Sequence, residues 1–382
     1  MAVGTTRKNK INHAQSTLII KTIHNVLIAP LDWGLGHATR CMPLIDLLLN
    51  KGNKVIIAGN GDSFYLLKEQ YPGLKFYELP GYNITYPRGR NAAAQSLMQT
   101  PKILRTITEE KKSTASILAK ENIELIISDN RYGVRNERVK SILICHHIAI
   151  QAPAAFQFMN PLFLNLHLRQ INKFDALWIP DEAGENNLSG ILSHGIPFKI
   201  PYAYIGIQSR FSGFTKKASM IDAMKFSILI VLSGPEPQRT FLEMELKKKL
   251  KNFPEKILLI QGKTEQQTLI EEGPITTISY LSTNDLYSAL RKASHIICRS
   301  GYSTVMDLAV LGKKAILIPA EGQTEQEYLA HMLSQKGFAL TCGQENLEIE
   351  TALRKLEGVK GFTTYNTTPE KLEMELQKYL LE

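Results

Sequence analysis

The chain has 382 residues, of which 44% are hydrophobic and 21% are charged, and its formal net charge is +9. This composition is typical of a globular protein and excludes a disordered, collagen-like or coiled-coil chain. At about 150 residues per domain, the length predicts two or three domains, each with its own core. The basic excess leaves three anionic partners open: nucleic acid, a membrane surface or an acidic substrate.

The positive charge belongs to one half of the chain. Residues 1–224 contain 26 Lys and Arg against 16 Asp and Glu, a net of +10, whereas residues 225–382 contain 19 against 20. Eight of the cations fall in two groups, the basic start and one later stretch: Arg7, Lys8, Lys10, Lys21, Arg88, Arg90, Lys102 and Arg105. No aromatic-basic motif accompanies them, which argues against nucleic acid. We therefore expect an anionic or membrane-embedded ligand on the first half.

The cysteines and the apolar runs indicate the compartment. Cys41, Cys145, Cys298 and Cys342 form no CxxC pair, so we expect free thiols in a reducing compartment. No apolar run approaches the ~20 residues that cross a bilayer. The basic start has no apolar segment behind it, so a signal peptide is not expected. The prediction is a cytoplasmic protein, with association at the inner face of the membrane left open.

Short β-rich runs alternate with longer amphipathic runs. Strands are predicted over 25–29, 54–58, 125–128, 141–145, 176–179, 226–232, 256–260, 295–298 and 315–318. Helices are predicted over 37–50, 103–119, 161–173, 239–252, 284–292, 303–311, 325–335 and 369–381. This alternation is typical of an α/β protein with parallel sheets and right-handed crossovers.

The alternation of strands and helices is interrupted once and then resumes, which predicts two doubly wound, Rossmann-like domains. The predicted segments are a basic flexible lead-in (1–24), a first domain (25–207), a linker (208–224), a second domain (225–360) and a C-terminal helix (361–382) that docks on either domain. Open α/β sheets bind ligands outside the carboxyl ends of their strands, so the loops that follow strands are the candidate sites.

The first such loop runs from 31 to 40 and opens a helix. Gly34 and Gly36 allow backbone N–H groups to approach an anion, but Thr39 replaces the third glycine of a dinucleotide motif. A dehydrogenase is therefore disfavoured. His37 lies at the mouth of the helix, where a general base is as plausible as a helix cap.

Three loops of the second half carry further polar groups. Ser233 and Gly234 precede a helix and form either an anion site or an ordinary turn. The loop at 298–308 contains the residues for a diphosphate site at a helix start: Arg299, Ser300, Gly301, Ser303 and Thr304. Asp307 follows on the same helix side, either as a ribose ligand or as a dipole partner. Glu325 and Gln326 suit sugar hydroxyls, or are plain polar residues of a helix start.

The run RSGYSTVMDLAVLGKKAILIP, followed by EQEYLAHMLSQKG, resembles the nucleotide-sugar signature of glycosyltransferase family 28, the MurG-like enzymes. WGLGH resembles the Gly-rich loop of that family, and SGP at 233–235 its second Gly-rich loop. The four motifs occur in the family's order from about 26 to 339. The resemblance implies the GT-B architecture, with the acceptor on the first domain and the nucleotide sugar on the second, and no cofactor.

The resemblance also implies roles for single residues. Ser300, Gly301, Ser303 and Thr304 match the diphosphate site, Asp307 the ribose position (usually Glu), Gln326 the sugar-reading glutamine, and Tyr280 with Leu281 the base site, usually for uracil. Glu325 stands where many members have Gln or His. Arg299 is expected to help stabilise the leaving diphosphate.

Three segments outside this signature end strands of the first domain. Together with Trp33, they supply the acceptor-side candidates: Asn130, Arg131 and Tyr132, with Asp129 and His146 as reserve bases after His37. A structural reading is that Asp129 pairs with Arg131 and that His146 and His147 merely end a strand. A zinc site is disfavoured, because adjacent histidines on a strand point to opposite faces.

These observations predict a metal-independent transfer from a nucleotide diphosphate sugar to an acceptor hydroxyl, and the resemblance implies that it proceeds with inversion. The resemblance implies a UDP-sugar donor. The charge distribution predicts a sugar or lipid-linked acceptor, with an anionic membrane surface as a further partner. Two alternatives keep the same fold: a nucleotide-sugar 2-epimerase and a non-catalytic nucleotide-sugar binding protein.

Overall fold

A computed structural model describes residues 23–83, 99–152, 154–234, 236–264, 267–345, 347–363, 365 and 369–380. The predicted lead-in, apart from its last two residues, and the predicted cations Arg88 and Arg90 lie outside these ranges. The described residues form two seven-stranded sheets flanked by helices. We call the part built on the first sheet the N-terminal domain and the part built on the second sheet the C-terminal domain.

The N-terminal domain is wound around a parallel sheet of order β3-β2-β1-β4-β5-β6-β7. Its elements are β1 (Asn25–Pro30), α1 (Leu35–Asn50), β2 (Lys54–Gly59), α2 (Gly61–Gln70), β3 (Lys75–Glu78), α3 (Thr100–Lys120), β4 (Leu125–Asp129), β5 (Lys140–Ile144), α4 (Asn160–Ile171), β6 (Ala176–Ile179) and β7 (Tyr202–Tyr204). The central strands read as continuous apolar runs because helices cover both faces of the sheet.

The C-terminal domain repeats this winding in the order β10-β11-β9-β8-β12-β13-β14. Its elements are β8 (Ile228–Val231), α5 (Gln238–Leu250), β9 (Ile257–Ile260), β10 (Leu269–Glu272), β11 (Ile275–Ile278), α6 (Thr283–Lys292), β12 (His295–Cys298), α7 (Tyr302–Leu311), β13 (Ile316–Leu317), α8 (Thr324–Gln335), β14 (Leu340–Thr341), α9 (Ile349–Glu357) and α10 (Glu370–Leu380).

The expectation of two purely parallel sheets is wrong at one edge. β10 pairs antiparallel with β11, and all four of its residues are exposed. The two strands are joined by a tight turn at Gly273, where φ is +62°, and a connection that short reverses the chain. The remaining pairs of both sheets are parallel, so the α/β class and the two-domain winding are confirmed.

The segment predicted as a linker packs on the C-terminal domain. Phe211 is buried in that domain's core, and Ser209 and Arg210 both bind the Asp307 carboxylate of α7. Helix α10 instead returns to the N-terminal domain, where Leu372 and Leu376 join the core around β1. The two domains are therefore tied together at both ends of the C-terminal half.

Within the described ranges, no helix combines the length with the apolar character that a membrane span requires. The four cysteines are free thiols, as predicted, and Cys41, Cys145 and Cys298 are buried.

Candidate active site

The loops that follow the strands of the two sheets meet across a cleft. Ser303, at the start of α7, donates a hydrogen bond from Oγ to the Gly36 carbonyl at 2.9 Å. Tyr302 donates from its hydroxyl to the Pro180 carbonyl at 3.0 Å. His146, just after β5, contacts Glu325 in the first turn of α8. These contacts join the predicted Gly-rich loop to the predicted diphosphate and sugar loops.

Glycine is required at two points of the loop before α1. Gly34 has a φ of +73°, a conformation that L-residues rarely adopt, and it starts the helix. At Gly36 a Cβ would lie 2.7 Å from Ser303 Oγ, so a side chain there would force Ser303 of the opposite domain to move. The pair of glycines thus turns the chain and lets the two domains touch.

The helices that start at this cleft present unused backbone donors. α1 begins after Gly34 and α7 after Gly301, and neither has a side-chain cap or an acidic residue in its first turn. The free N–H groups and the helix dipole favour an anion at both helix starts. Ser233 and Gly234 form a similar turn before α5, where Gly234 has a φ of +97°.

The predicted base His37 lies beside the buried carboxylate of Asp129. His37 Nδ1 is 3.1 Å from Asp129 Oδ2, and the His37 side chain keeps 14% of its surface exposed. Arg40, one turn further along α1, donates from Nε to Asp129 Oδ2 at 2.8 Å and from a terminal nitrogen to Oδ1. The same terminal nitrogen lies 2.6 Å from His37 Nδ1. The Asp129 carboxylate and the Arg40 guanidinium thus both contact His37 Nδ1.

A second histidine extends this cluster to the other domain. His146 is buried, and its Nδ1 lies 3.0 Å from Arg40. Its Nε2 lies 2.7 Å from Glu325 Oε1, while His147 Nδ1 lies 3.1 Å from Oε2. The His146 ring stacks on the Tyr302 ring with 4.0 Å between centroids. Glu325 is therefore held by two histidines of the N-terminal domain.

Burial and neighbouring charges set the protonation of these groups. Burial lowers the pKa of His37 below its ordinary 6.5, and Arg40 lowers it further, against the opposing effect of Asp129. Burial lowers the pKa of His146 to about 4. The Asp129 pKa is lowered because Arg40 and His37 outweigh the cost of burying the carboxylate. At neutral pH the cluster therefore has a charged Asp129–Arg40 pair and two neutral histidines.

Arg131 has a structural role here and does not reach the cleft as an acceptor-side group. Its side chain is fully buried and donates to the Pro30 and Pro80 carbonyls, Asn60 and Glu110. The suggested Asp129–Arg131 pair is wrong, because each residue has another partner of opposite charge. Asp129 binds Arg40 and Arg131 binds Glu110.

Two predicted donor residues are likewise engaged within the protein. Arg299 is 1% exposed and donates to three backbone carbonyls and to Gln344, an arrangement that braces the neighbouring loops. Asp307 is 3% exposed, and Ser209 and Arg210 occupy both of its oxygens. A ribose at this carboxylate would have to replace those contacts.

The remaining predicted residues fall into two groups. Some lie on the cleft loops with polar contacts of their own: Ser300 donates to the Gln326 carbonyl at 2.8 Å, Gln326 accepts from the Ala320 amide at 3.0 Å, and Thr304 is half-buried beside Asp307. The others make contacts within the protein or lie in its core. Asn130 has a φ of +57° directly after β4, Tyr132 forms a hydrogen bond with His167, and Trp33 packs edge-on against Tyr82. Leu281 is buried and Tyr280 is half-buried.

Sequence reasoning missed Arg40 and Glu110, which hold the two buried charge clusters. Arg40 lies three residues after His37 on one helix, a spacing that places both on the same face and was readable from the sequence. Glu110 sits inside an amphipathic helix and gives no such signal. Among the described residues, no group of three or more His, Cys, Asp or Glu is arranged to hold a metal ion.

Comparison with known proteins agrees with this geometry. The family model of the glycosyltransferase family 28 C-terminal domain matches residues 229–380. The chain therefore resembles glycosyltransferase family 28 over its C-terminal domain. It is also similar to an uncharacterized glycosyltransferase of Methanosarcina mazei, with 20% identity over 80% of this chain and 82% of that protein. The predicted resemblance to this family is thus confirmed.

A second relative matches a shorter stretch. It is the UDP-N-acetylglucosamine–N-acetylmuramyl-(pentapeptide) pyrophosphoryl-undecaprenol N-acetylglucosamine transferase of Alkaliphilus oremlandii, 27% identical over 28% of this chain. The match spans 31% of that protein, about a third of its length.

Solved structures share the fold at low sequence identity. The kitacinnamycin glycosyltransferase superposes with a TM-score of 0.58, at 12% identity, over 94% of this chain and 99% of that one. The glycosyltransferase SnogD from Streptomyces nogalater gives a TM-score of 0.57 at 14% identity, over 94% and 96%. The predicted GT-B architecture is thus confirmed.

Proposed function

We propose that this glycosyltransferase moves a sugar from a nucleotide diphosphate sugar to an acceptor hydroxyl, with inversion and without a metal ion. One observation carries the proposal. His37, beside the buried Asp129 carboxylate, lies at the start of α1, directly opposite the uncapped start of α7. The proposed base and the proposed anion site thus lie on opposite sides of the cleft. The hydrogen bond between Ser303 and Gly36 joins the two helix starts to which they belong.

The reaction follows from these positions. The acceptor oxygen attacks the anomeric carbon while the bond from that carbon to the diphosphate oxygen breaks on the opposite face. His37 takes the acceptor proton on Nε2 when its Nδ1–H donates to Asp129, as in other histidine–carboxylate pairs. The leaving diphosphate gains its negative charge beside the helix starts of α1 and α7, whose N–H groups stabilise it.

We propose a UDP-sugar as donor. The Alkaliphilus relative is named for a UDP-N-acetylglucosamine substrate, and one solved neighbour of this fold was determined in complex with UDP. Glu325 and Gln326 at the start of α8 are the candidates for contacts to the sugar hydroxyls. Glu325 keeps 29% of its side chain exposed, which leaves it accessible from the cleft.

We propose a lipid-linked acceptor at an anionic membrane. Helix α4 and the turn before it expose Phe158 (79% exposed), Leu162 (52%) and Leu166 (47%). Arg169 and Lys199 line the groove beside these side chains. An apolar face with a basic rim suits a membrane surface with acidic headgroups. The relative from Alkaliphilus is named for a pyrophosphoryl-undecaprenol substrate, which agrees with this choice.

The test is incubation of the full chain with radiolabelled UDP-sugars, with and without a lipid extract, and with the His37→Gln variant as control. Label that moves to the lipid fraction with the wild-type chain, and not with His37→Gln, supports the proposal. An isomerised donor instead identifies a 2-epimerase. Binding of the donor with neither product identifies a non-catalytic binding protein, and either result overturns the proposed transfer.

A further inference from the structure

A continuous chain of hydrogen bonds links the C-terminal domain to the proposed base. It runs from Glu325 of α8 to His146, from His146 to Arg40, and from Arg40 to both His37 and Asp129. Apart from Glu325, the polar atoms of this chain belong to buried or mostly buried side chains. Glu325 and His146 are 179 positions apart in sequence, and their contact connects α8 to the proposed base.

The geometry fixes the tautomer of His146. A guanidinium only donates hydrogen bonds, so the His146 Nδ1 that faces Arg40 must be the acceptor. The proton of neutral His146 then sits on Nε2 and is donated to Glu325 Oε1 at 2.7 Å. The stacked Tyr302 ring keeps the imidazole in this plane. Glu325 therefore stabilises the one form of His146 that accepts from Arg40.

The same rule applied to His37 gives an unexpected result. Arg40 lies 2.6 Å from His37 Nδ1, closer than the 3.1 Å of Asp129 Oδ2. With Arg40 in this place Nδ1 is an acceptor, and the His37 proton sits on Nε2. A histidine in that form cannot take a proton on Nε2. The arrangement is thus a resting form of the proposed base.

We infer that Arg40 is a positioning residue that decides which nitrogen of His37 carries the proton, and that Glu325 controls Arg40 through His146. Sugar hydroxyls bound at Glu325 compete with His146 for its carboxylate. Without Glu325 as its acceptor, the His146 proton is no longer held on Nε2. Once His146 carries its proton on Nδ1, Arg40 loses its hydrogen bond to that nitrogen. His37 then releases its Nε2 proton to water and takes up a proton from water at Nδ1, so that Nδ1–H donates to Asp129 and Nε2 becomes free to accept a proton. The inference rests on the proposed role of His37 as the base.

The charged and titratable groups around His37 agree with this coupling. It faces Arg40 from its own helix, Asp129 from the end of β4 and Glu325 from α8, with Cys41 beside Asp129 and Cys145 near Arg40. After burial, Arg40 lowers the pKa of His37, while Asp129 and Glu325 raise it. Loss of the Glu325 charge therefore lowers the His37 pKa further.

The test reads the His37 ring nitrogens directly, by ¹⁵N NMR of the full chain labelled at its histidines, without a substrate. His37 is assigned from the spectrum of His37→Gln. Glu325→Gln and Glu325→Ala are compared with Glu327→Gln, a control that removes a charge from the same helix turn, where Glu327 binds the Gly322 amide. Folding of each variant is checked from the remaining histidine signals.

The expected wild-type spectrum has the His37 proton on Nε2. In Glu325→Ala the fraction with the proton on Nδ1 rises at least twofold and the His37 pKa falls, with a smaller change in Glu325→Gln and none in Glu327→Gln. Saturating UDP-N-acetylglucosamine shifts the wild-type proton to Nδ1, whereas UDP, which lacks the sugar, does not. An unchanged His37 tautomer in Glu325→Ala overturns the inference, whatever the activity assay shows for transfer.

Discussion

The two faces of the cleft come from sheets with nearly the same winding, yet they use different chemistry. The N-terminal face is built from ionised side chains that are buried: Arg40 with Asp129 and, behind them, Arg131 with Glu110. The C-terminal face presents the uncapped start of α7 and a turn of serines and glycine, while its buried Arg299 braces carbonyls. One face holds fixed charges and the other presents backbone dipoles.

The roles that we propose for the two faces account for this difference. A general base must keep one protonation state near neutral pH, and only close, buried charges control that state. A diphosphate is already charged, so oriented backbone N–H groups are enough to bind it. Because these groups are neutral, they need no counter-charge when the site is empty. The net charge of −1 over residues 225–382, against +10 over 1–224, is consistent with this division.

The largest expected effect tests the fixed-charge face. His37→Gln removes the proposed base but keeps the size and polarity of the side chain, and we expect kcat to fall by about 10²–10⁴-fold, the usual contribution of a general base. Donor affinity, measured by calorimetry with a UDP-sugar, should stay within a factor of about two, because the proposed contacts to the donor sugar lie on the other face. An equal loss of donor affinity would place His37 on the donor side and break the comparison.

The second prediction concerns the buried pair behind the base. Arg131→Met leaves the Glu110 carboxylate buried without its cation, so we expect the free energy of unfolding to fall by about 3–5 kcal/mol. The double variant Arg131→Met/Glu110→Leu removes both charges and should recover most of that loss. Urea denaturation measures both. Equal stability of the single and double variants would show that the pair is not energetically coupled.

Acid should weaken the N-terminal domain first. Burial lowers the pKa of His146 and of His167 to about 4, so the folded chain does not take up these protons between pH 6.5 and 4, whereas the unfolded chain does. Stability is therefore full above pH 6.5 and falls as the pH drops through this window. Urea midpoints from pH 7 to 4.5 measure the slope.

His167→Gln removes one of the two groups from this linkage. We expect it to reduce the pH slope by about one proton, and we expect no change for His331→Gln, at an exposed position on α8 of the other domain. A slope that responds equally to both substitutions would mean that acid sensitivity is not a property of the N-terminal face.

The smallest expected effect concerns the exposed face of α4. Phe158→Ser removes an apolar side chain that is 79% exposed, so folding should be unaffected while binding to vesicles with anionic lipid weakens by about three- to tenfold. Tyr65→Ser, at a 62% exposed aromatic residue on α2, is the matched control. Vesicle binding that depends neither on anionic lipid nor on salt would contradict a charged membrane surface.

The sequence by itself determined the elements and the order of the loops. The apolar runs of β1, β4, β8 and β12 and the amphipathic helices between them follow from local patterns, and their boundaries agree with prediction to within a few residues. The motif at 298–319 likewise led to the family. Short or exposed strands such as β10 and β14 were not predicted. Their four and two residues are too few to show a period in hydrophobicity.

Only the tertiary structure decided which charges pair. Asp129 and Arg131 are neighbours in sequence, yet they turn to opposite sides of the sheet edge and bind Arg40 and Glu110. Glu325 meets His146 across 179 residues, and Asp307 meets the segment predicted as a linker. The reason is physical: a helix or strand is set by neighbours within a few residues, whereas a buried ion pair depends on how whole elements pack.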